Sequence, residues 1–348
     1  DQYEEELEKI RKKKRNYTPW QVAIGAGFAC GGFCIQFGCD WVAFLYASIA
    51  AILGMRLRQV CNESGLNHYM GIAISAFVAT IIAWASTLLP AEWTSTPWHP
   101  LLACALFIVP GVPLINFVDD MLDNYIQVSI VRAVNTLLMV AAMAFGIAFA
   151  VKLCHIENFF PTISMVPHHQ YWEYAIAAAI SAMGFSMIFN IQRRLLWVVA
   201  IGGIIAVCTR NFVNLGPSTD NIGLDMGLVI GSFSGAVLVS LIAIKAVHWF
   251  HVPNHVLTIP SVIPMIPGVL MYRMLFGIIN INVQSIDQVT PLMKAIESGV
   301  NSGLVIMCIA LGVAIPNIFG RRFIASSKNK RLAELLKERK ARGKFVEW

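Results

Sequence analysis

Two apolar segments of this 348-residue chain are interrupted by prolines at corresponding places. The first segment reads FIVPGVPLIN and the second reads SVIPMIPGVLMYR. A proline removes an amide donor and clashes with the carbonyl one turn back, so the helix opens and its backbone dipoles become available to a ligand. We therefore expect the two interruptions to face one another across a central polar cavity and to contribute to a binding site for an ion or a small substrate. The residues that we assign to this role are Pro110, Gly111, Pro113, Pro264, Pro267 and Gly268.

Polar residues follow each interruption. Asn116 and Asp120 are four residues apart and therefore share one helix face, and Tyr272 and Arg273 follow the second interruption. A charge within the hydrocarbon region costs at least ~2.5 kcal/mol, so such residues normally face a cavity or a partner. We expect Asn116, Tyr272 and Arg273 to contact substrate and Asp120 to exchange a proton. Asp119 is expected to lie in headgroup water.

Asp225 is the second carboxylate that we consider for proton exchange. It stands at the head of a predicted span, with mostly apolar residues after it. A protonatable group in that position could couple export to a proton gradient. The alternative is a helix N-terminal carboxylate that the macrodipole stabilises.

Other kinds of chemistry find little support in the residues. His248 and His251 are spaced to share a helix face, but Pro253 separates His255 from them, so we predict no metal site. The eight cysteines lie mostly in apolar segments, which favours helix packing over a disulfide framework. Since the chain carries no nucleophile with a neighbouring base, no Walker loop and no dinucleotide fingerprint, we predict neither an enzyme nor a cofactor.

The composition indicates which elements must position these residues. Hydrophobic residues make up 57% of the chain and charged residues only 13%, with a mean hydropathy of +0.65. Several apolar runs are long enough to cross a ~30 Å hydrocarbon core, where every backbone polar group must bond internally and helices therefore form. The sequence predicts an all-α integral membrane protein with ten spans. These lie near residues 19–38, 40–56, 70–89, 100–117, 128–151, 171–190, 194–209, 224–247, 256–278 and 299–318.

The basic residues predict the orientation of these spans. Most of them lie in residues 9–15 and 321–344, which accounts for the net charge of +6 without a nucleic-acid partner and favours contact with anionic lipid headgroups. With a cytoplasmic N-terminus and ten spans, the outer loops keep few basic residues. This asymmetry predicts that both termini are cytoplasmic, in what we expect to be the plasma (inner) membrane. The outer basic residues are Lys152, Arg210, Arg273 and Lys294.

An internal repeat relates the two halves. GFCIQF at residues 32–37 matches GFSMIF at residues 184–189, and the proline interruptions recur later in each half. Five spans per half is an odd number, so we predict two inverted five-helix repeats with broken helices around a site near the bilayer midplane. The predicted segments are a basic cytoplasmic helix, the first repeat, an external linker, the second repeat and a basic cytoplasmic tail. Their bounds are 1–17, 18–152, 153–170, 171–320 and 321–348.

These motifs permit a family comparison, since the whole chain resembles the threonine/serine exporter family. Its most specific segment is IVPGVPLINFVDDM at residues 108–121, together with GFACGGFCIQFG near the start. The second half, from about residue 175 to residue 320, resembles the shorter membrane domain of that family through MGFSMIFNIQRR and VIPMIPG. In this family the long and short domains occur fused or as separate subunits.

The resemblance implies export of threonine or serine driven by the proton motive force, with dicarboxylate export among relatives, and a cytoplasmic N-terminal domain ahead of residue 1. The chain departs from the family pattern at residues 117–119, where a basic residue is common before the final aspartate, and this alters the local charge. A dicarboxylate exporter and an uncoupled channel or scaffold remain the alternatives, and homo-oligomer formation is left open. The residues carried over from the family are Pro110, Gly111, Pro113, Asn116, Asp120, Pro264, Pro267 and Gly268.

Overall fold

The computed structural model describes residues 2–11, 15–90, 92–156, 169–217, 222–279 and 289–341. Within these ranges the regular secondary structure is entirely helical, which confirms the predicted all-α class. Each predicted span overlaps a helix. In chain order the α-helices are α1 (Gln2–Arg11), α2 (Pro19–Gln36), α3 (Trp41–Glu63), α4 (His68–Trp84), α5 (Pro100–Ala103), α6 (Gly111–Leu122), α7 (Ile126–Leu153), α8 (Tyr171–Ile188), α9 (Leu196–Asn214), α10 (Leu228–Phe250), α11 (Asn254–Val262), α12 (Gly268–Ile279) and α13 (Val289–Ala341).

Six helices of the described chain are long and apolar enough to cross a membrane. A seventh span results if α11 and α12, which are bent by 61° at the break between them, are counted as one. The helices α2 and α8 are shorter, at 18 residues each, and lie against each other in the interior. The total of ten spans therefore remains a prediction. The six spans are Trp41–Glu63, His68–Leu88, Ile126–Leu153, Arg193–Asn214, Leu228–Val247 and Leu292–Gly320.

Glycine allows α2 and α8 to approach closely. A Cβ added at Gly184 would lie 2.3 Å from the carbonyl oxygen of Gly25, and one added at Gly32 would lie 2.6 Å from that of Ala177. No such atom fits without separating the helices. Because apolar burial does not drive helix association in lipid, small residues that bring backbones together are the expected basis of this contact.

The contacts between α2 and α8 join residues that correspond in the repeat. Phe33 and Phe185 meet edge to face, with ring centroids 5.8 Å apart. At the predicted repeat offset of 152 residues, Gly25 corresponds to Ala177, and Gly32 corresponds to Gly184. The contact between Gly25 and Gly184 therefore has a counterpart in the contact between Ala177 and Gly32. Such reciprocal pairs are the mark of an isologous interface.

Polar contacts close one end of the α2–α8 pair, and we call them the Asn16 seam. The amide of Asn16 donates to the side-chain oxygen of Asn190 at 2.8 Å, and the Asn16 side chain donates to the Asn190 carbonyl at 2.8 Å. Arg193 donates to the Asn16 carbonyl and lies over the ring of Tyr17. These contacts fix the start of α2 against the turn that follows α8.

Asp40 determines where α3 begins. It lies just before the span, where its side chain accepts from the amide of Ala43 at 2.7 Å, from the hydroxyl of Thr94 at 2.7 Å and from the amide of Ser95 at 2.8 Å. Burial by itself would raise the pKa of Asp40, but these hydrogen bonds outweigh it and the pKa is lowered. Asp40 therefore ties the loop between α4 and α5 to the start of α3.

Two predicted segments extend beyond what the structure describes. The helix α7 ends at Leu153 and α8 begins at Tyr171, and most of the predicted linker between them, residues 157–168, lies outside the described residues. The helix α13 continues through residue 320 to Ala341, so no helix end marks the predicted start of the tail at residue 321. Residues 342–348 also lie outside the described part.

Candidate functional site

Both proline-containing segments are broken, and the two breaks have the same local structure. A 3-10 turn precedes each one, and a hydrogen bond of 2.8 Å then joins the amide of Gly111 to the carbonyl of Val109, and that of Gly268 to Ile266. With φ −78° and ψ 62°, Pro110 forms the inverse γ-turn that this bond requires. A helix of 12 residues follows each break. The predicted interruptions are therefore confirmed.

The position of Pro113 differs from the prediction. It lies in the first turn of α6, which begins at Gly111, and so does not interrupt the helix. The first amides of a helix have no intrahelical acceptor, and a proline is tolerated there for that reason. The break is thus formed by Val109 and Pro110, and Pro113 belongs to the helix that follows.

The two breaks meet at the centre of the protein, beside Phe33 and Phe185. A Cβ added at Gly111 would lie 2.9 Å from the side chain of Ile266, and one added at Gly268 would lie 2.7 Å from that of Leu106. The cavity between them, which we call the apolar cavity, measures about 10 Å³, roughly the room that one water needs. Its lining residues are Phe33, Leu106, Val109, Phe185, Ile263, Ile266 and Gly268.

Our expectation of a polar cavity between the breaks is therefore wrong for this structure. The freed backbone groups are partly satisfied by the γ-turns themselves, and apolar side chains from both halves fill the space between the turns. Protein side chains cover the opened backbone, which is one of the ways in which irregular backbone is tolerated at membrane depth.

A polar cavity of about 410 Å³ lies beside the first break. This volume falls in the range of sites for small molecules, ~300–1,000 Å³. Residues of α6, α7 and α11 form it, and the predicted site residues Asn116 and Asp120 are both in its wall. The lining residues are Val112, Asn116, Asp119, Asp120, Arg132, His255, Val256 and Ile259.

The charges in the polar cavity are arranged in two neighbouring pairs. Arg132 forms an ion pair with Asp120, and the Nε2 of His255 lies 3.9 Å from the Oδ2 of Asp119. The side chains of Arg132 and His255 are 45% and 47% exposed. Since exposed ion pairs contribute only ~0–1 kcal/mol, a charged ligand can replace one partner at little cost.

The structure does not bring the remaining predicted residues of the second half into the polar cavity. Gly268 lines the apolar cavity, and Pro264 and Pro267 form the second break. Tyr272 and Arg273 lie in α12, beyond that break; Arg273 does not line the polar cavity, and the side chain of Tyr272 lies outside the described part of the structure. The two sets of predicted residues therefore flank the centre instead of sharing one site.

Asp225 lies apart from the polar cavity. It is exposed in the segment before α10, which begins at Leu228, and its φ is 53°. Its amide donates to the Leu215 carbonyl at 3.0 Å. The prediction placed Asp225 at the head of a helix, but the helix starts three residues later.

Sequence reasoning missed three residues of the polar cavity. Arg132 entered only the count of basic residues, Asp119 was assigned to headgroup water, and His255 was weighed only as a metal ligand. The spacing of Asp120 and Arg132 across the turn between α6 and α7 could have suggested an ion pair. His255 reaches the site by tertiary packing of α11, for which the sequence carries no local signal.

Comparison with known protein families gives two matches that together cover most of the chain. A family model described as "Putative threonine/serine exporter" matches residues 1–154. A second model, described as "Threonine/Serine exporter, ThrE", matches residues 174–319. No solved structure matches the chain.

Curated relatives include two bacterial proteins with the same description, "Probable succinate transporter subunit YjjP". The one from Klebsiella aerogenes is 30% identical over 141 residues, which is 40% of this chain and 54% of the relative. The one from Escherichia coli (strain K12) is 30% identical over 137 residues, which is 39% of this chain and 53% of the relative. The chain spans about half the length of these relatives.

Proposed function

Because the chain belongs to the threonine/serine exporter family, we propose that it is a secondary transporter that exports threonine and serine, coupled to the proton motive force. Family membership and the six apolar helices support an integral membrane protein that acts as a membrane exporter. Substrate, coupling and orientation are parts of the proposal.

The charged residues of the polar cavity are the observation from which we infer the substrate. A zwitterionic amino acid needs a cation for its carboxylate and an anion for its ammonium group. Arg132 supplies the first, through a guanidinium that suits carboxylates, and Asp119 and Asp120 supply the second. Asn116 adds an amide that can donate or accept, suited to a side-chain hydroxyl.

The arrangement of the breaks supports two inverted repeats of five spans. The contacts of Gly111 with Ile266 and of Gly268 with Val109 are reciprocal, as are those between α2 and α8. Alternating access in such a fold moves the halves about a central site. In this structure the apolar cavity is closed and the polar cavity is open. We therefore assign the structure to the transport state in which the site is open on the side of the membrane where α6 ends.

The proposed topology places that side in the cytoplasm. The basic residues of the predicted inner loops and of the two terminal segments exceed those of the outer loops, and this asymmetry supports two cytoplasmic termini in the plasma (inner) membrane. On this topology residues 153–170 lie outside. Labelling of single cysteines in that segment from the outside would support it, and labelling only from the cytoplasm would overturn it.

Asp120 and Asp225 are the residues proposed for proton coupling. The position of Asp120 supports its role, because it lines the polar cavity and its partner Arg132 is a proposed substrate ligand. A proton on Asp120 would remove an anion that the substrate ammonium group needs, so a proton and the amino acid would compete for the cavity, as exchange of an outgoing substrate for an incoming proton requires. Asp225 is exposed and outside the cavity, so its role rests on the sequence alone.

Export of a dicarboxylate is the second candidate. Arg132 offers a cationic group and His255 an imidazole, which is cationic when protonated, in one cavity, and together these would suit two carboxylates. The name of the YjjP relatives, "Probable succinate transporter subunit", supports the same substrate class, and the word subunit supports an oligomeric assembly. An uncoupled channel or scaffold is less well supported, because the described centre is closed by apolar side chains.

Counterflow in proteoliposomes distinguishes these functions. The purified chain is reconstituted with unlabelled threonine inside, and uptake of labelled threonine, serine and succinate is followed with and without a pH gradient. The proposal predicts exchange of threonine and serine and their accumulation against a gradient when a pH gradient is imposed. Exchange of succinate alone would favour the second candidate, and flux that ignores the pH gradient would favour the channel.

A further inference from the structure

His169 joins the two halves of the chain at the opposite end of the α2–α8 pair from the Asn16 seam. It lies two residues before α8 and is 8% exposed. Its Nε2 is 2.8 Å from the carbonyl oxygen of Cys39, between α2 and α3, and its Nδ1 is 3.0 Å from the Oε2 of Glu173 in α8. We call these contacts the His169 seam.

The hydrogen-bond partners determine how many protons the His169 seam holds. A carbonyl oxygen only accepts, so Nε2 must donate to Cys39, and a neutral imidazole then has no second N–H for Nδ1. An ionised Glu173 also only accepts, and its Oε2 already accepts from the amide of Gln170 at 3.1 Å. The contact between Nδ1 and Oε2 therefore needs a further proton, on His169 or on Glu173.

We propose that His169 and Glu173 together bind a proton, and that this proton fastens the first half of the chain to the second at this seam. Without it, the Nδ1 lone pair faces the Glu173 carboxylate in a mostly buried position, where unpaired polar groups are costly. The seam is then destabilised, and the tie to Cys39 weakens.

Among the described residues, few other titratable groups that could replace this proton surround the imidazole. The hydroxyl of Tyr174 accepts from the His169 amide at 3.3 Å, and Arg210 of α9 acts electrostatically on that hydroxyl. From the first half, Cys39 presents a fully buried thiol, and the carboxylate of Asp40 is held by Thr94 and Ser95. The charged partner in direct contact with the imidazole is Glu173.

The described contacts of the Asn16 seam, at the other end of the α2–α8 pair, contain no corresponding pair that binds a proton. In the repeat, Tyr17 corresponds to His169 and Gln21 to Glu173, and both helices start with a capping box. The contacts of the Asn16 seam come from amides and from Arg193, which do not titrate near neutral pH. If the proposed function and topology hold, the His169 seam faces outward, so a proton taken up outside would close the outer end during export.

Thermal unfolding in detergent tests this inference without any transport measurement. We expect the melting temperature of the wild type to fall as the pH is raised, because the proton held by the His169 seam is lost. The amide of Glu173→Gln can donate to Nδ1 of a neutral imidazole, so this variant should fold and lose most of that pH dependence. His155→Asn, at an exposed histidine with φ 52°, is the matched control and should keep it.

Nitrogen NMR of histidine-labelled protein gives a second readout on the wild type. The His169 resonances are identified by their absence in His169→Gln. If the proton is on His169, both ring nitrogens should be protonated. If it is on Glu173, the imidazole should be a single neutral tautomer whose nitrogen chemical shifts change in Glu173→Gln. An unchanged pH dependence of melting in Glu173→Gln would overturn the proposal. A His169 spectrum indifferent to Glu173→Gln would also overturn it. Failure of threonine counterflow would leave both readouts intact, so the two proposals fail separately.

Discussion

The hydroxyl of Ser181 donates to the backbone carbonyl of Ala29 at 3.2 Å, and these residues are 152 positions apart, the offset of the repeat. Residues that correspond in two copies can touch only near the axis that relates the copies. If the two halves form the proposed inverted repeat, this contact places the middle of α2 and α8 at its axis, together with the edge-to-face pair Phe33 and Phe185. The breaks of the two halves meet beside it.

Close approach of α2 and α8 is expected to stabilise the protein. Gly184→Ala would place a Cβ 2.3 Å from the Gly25 carbonyl oxygen, and the backbone must shift to admit it. We expect a loss of about 1–3 kcal/mol in the free energy of unfolding, the usual effect of overpacking. Thermal unfolding in detergent measures it. Gly303→Ala is the control, since no atom lies within 4 Å of its added Cβ, and it should be neutral or stabilising.

The γ-turns are expected to serve transport rather than stability. Pro110→Ala and Pro267→Ala restore an amide donor and permit a more continuous helix, so threonine counterflow should fall several-fold while the melting temperature holds or rises. Pro113→Ala is the control, because its amide would lie in the first turn of α6 and find no intrahelical acceptor. Equal transport by Pro110→Ala and Pro113→Ala would contradict this role.

Asp40 should make stability depend on pH in the acid range. Its folded pKa lies below the ordinary value of 3.8, so its stabilisation is present above that value and is lost as the pH falls through the lower folded pKa. Asp40→Asn should therefore cost about 1 kcal/mol at neutral pH, as expected for lost hydrogen bonds, with a smaller difference in acid. Tryptophan fluorescence during denaturation, at neutral and at acid pH, measures the free energy of unfolding of the wild type and of the variant. Glu92→Gln, at an exposed carboxylate of the same loop, should show no such difference.

The two proposed coupling residues can be separated by replacing each. If Asp120 carries the proton, Asp120→Asn should abolish uptake driven by a pH gradient and keep part of the threonine exchange, because the cavity stays intact. Asp225→Asn should abolish uptake driven by the pH gradient only if Asp225 also carries the proton. Because Asp225 is exposed and outside the cavity, this variant shows whether a carboxylate away from the proposed site contributes to coupling. Wild-type pH dependence in both variants would remove both residues from the mechanism.

Much of the fold could be predicted from the sequence because its signals are local. Apolar runs located the helices, and prolines located the breaks at Pro110 and Pro267. The GF motifs at residues 32–37 and 184–189 marked α2 and α8 as corresponding helices of the two halves, although their packing against each other was not predicted. Each of these features depends on backbone chemistry within a few residues, which is why the sequence alone was sufficient.

The chemistry of the site was less predictable, because it depends on which helices converge. Asn116 and Asp120 share a helix face and could be paired in advance, but their neighbour His255 comes from α11, far along the chain. The space between the breaks was expected to be polar, and apolar side chains such as Ile266 fill it instead. No local pattern indicates which side chains meet there.

Threonine counterflow by Arg132→Gln is the most direct test of the account. Arg132 is the proposed ligand of the substrate carboxylate, so its loss should reduce counterflow of threonine and serine by about tenfold, as expected for one lost charge-assisted hydrogen bond. Arg194→Gln, at an exposed arginine outside the cavity, is the control and should retain wild-type counterflow. Wild-type counterflow of threonine by Arg132→Gln would contradict the proposed site.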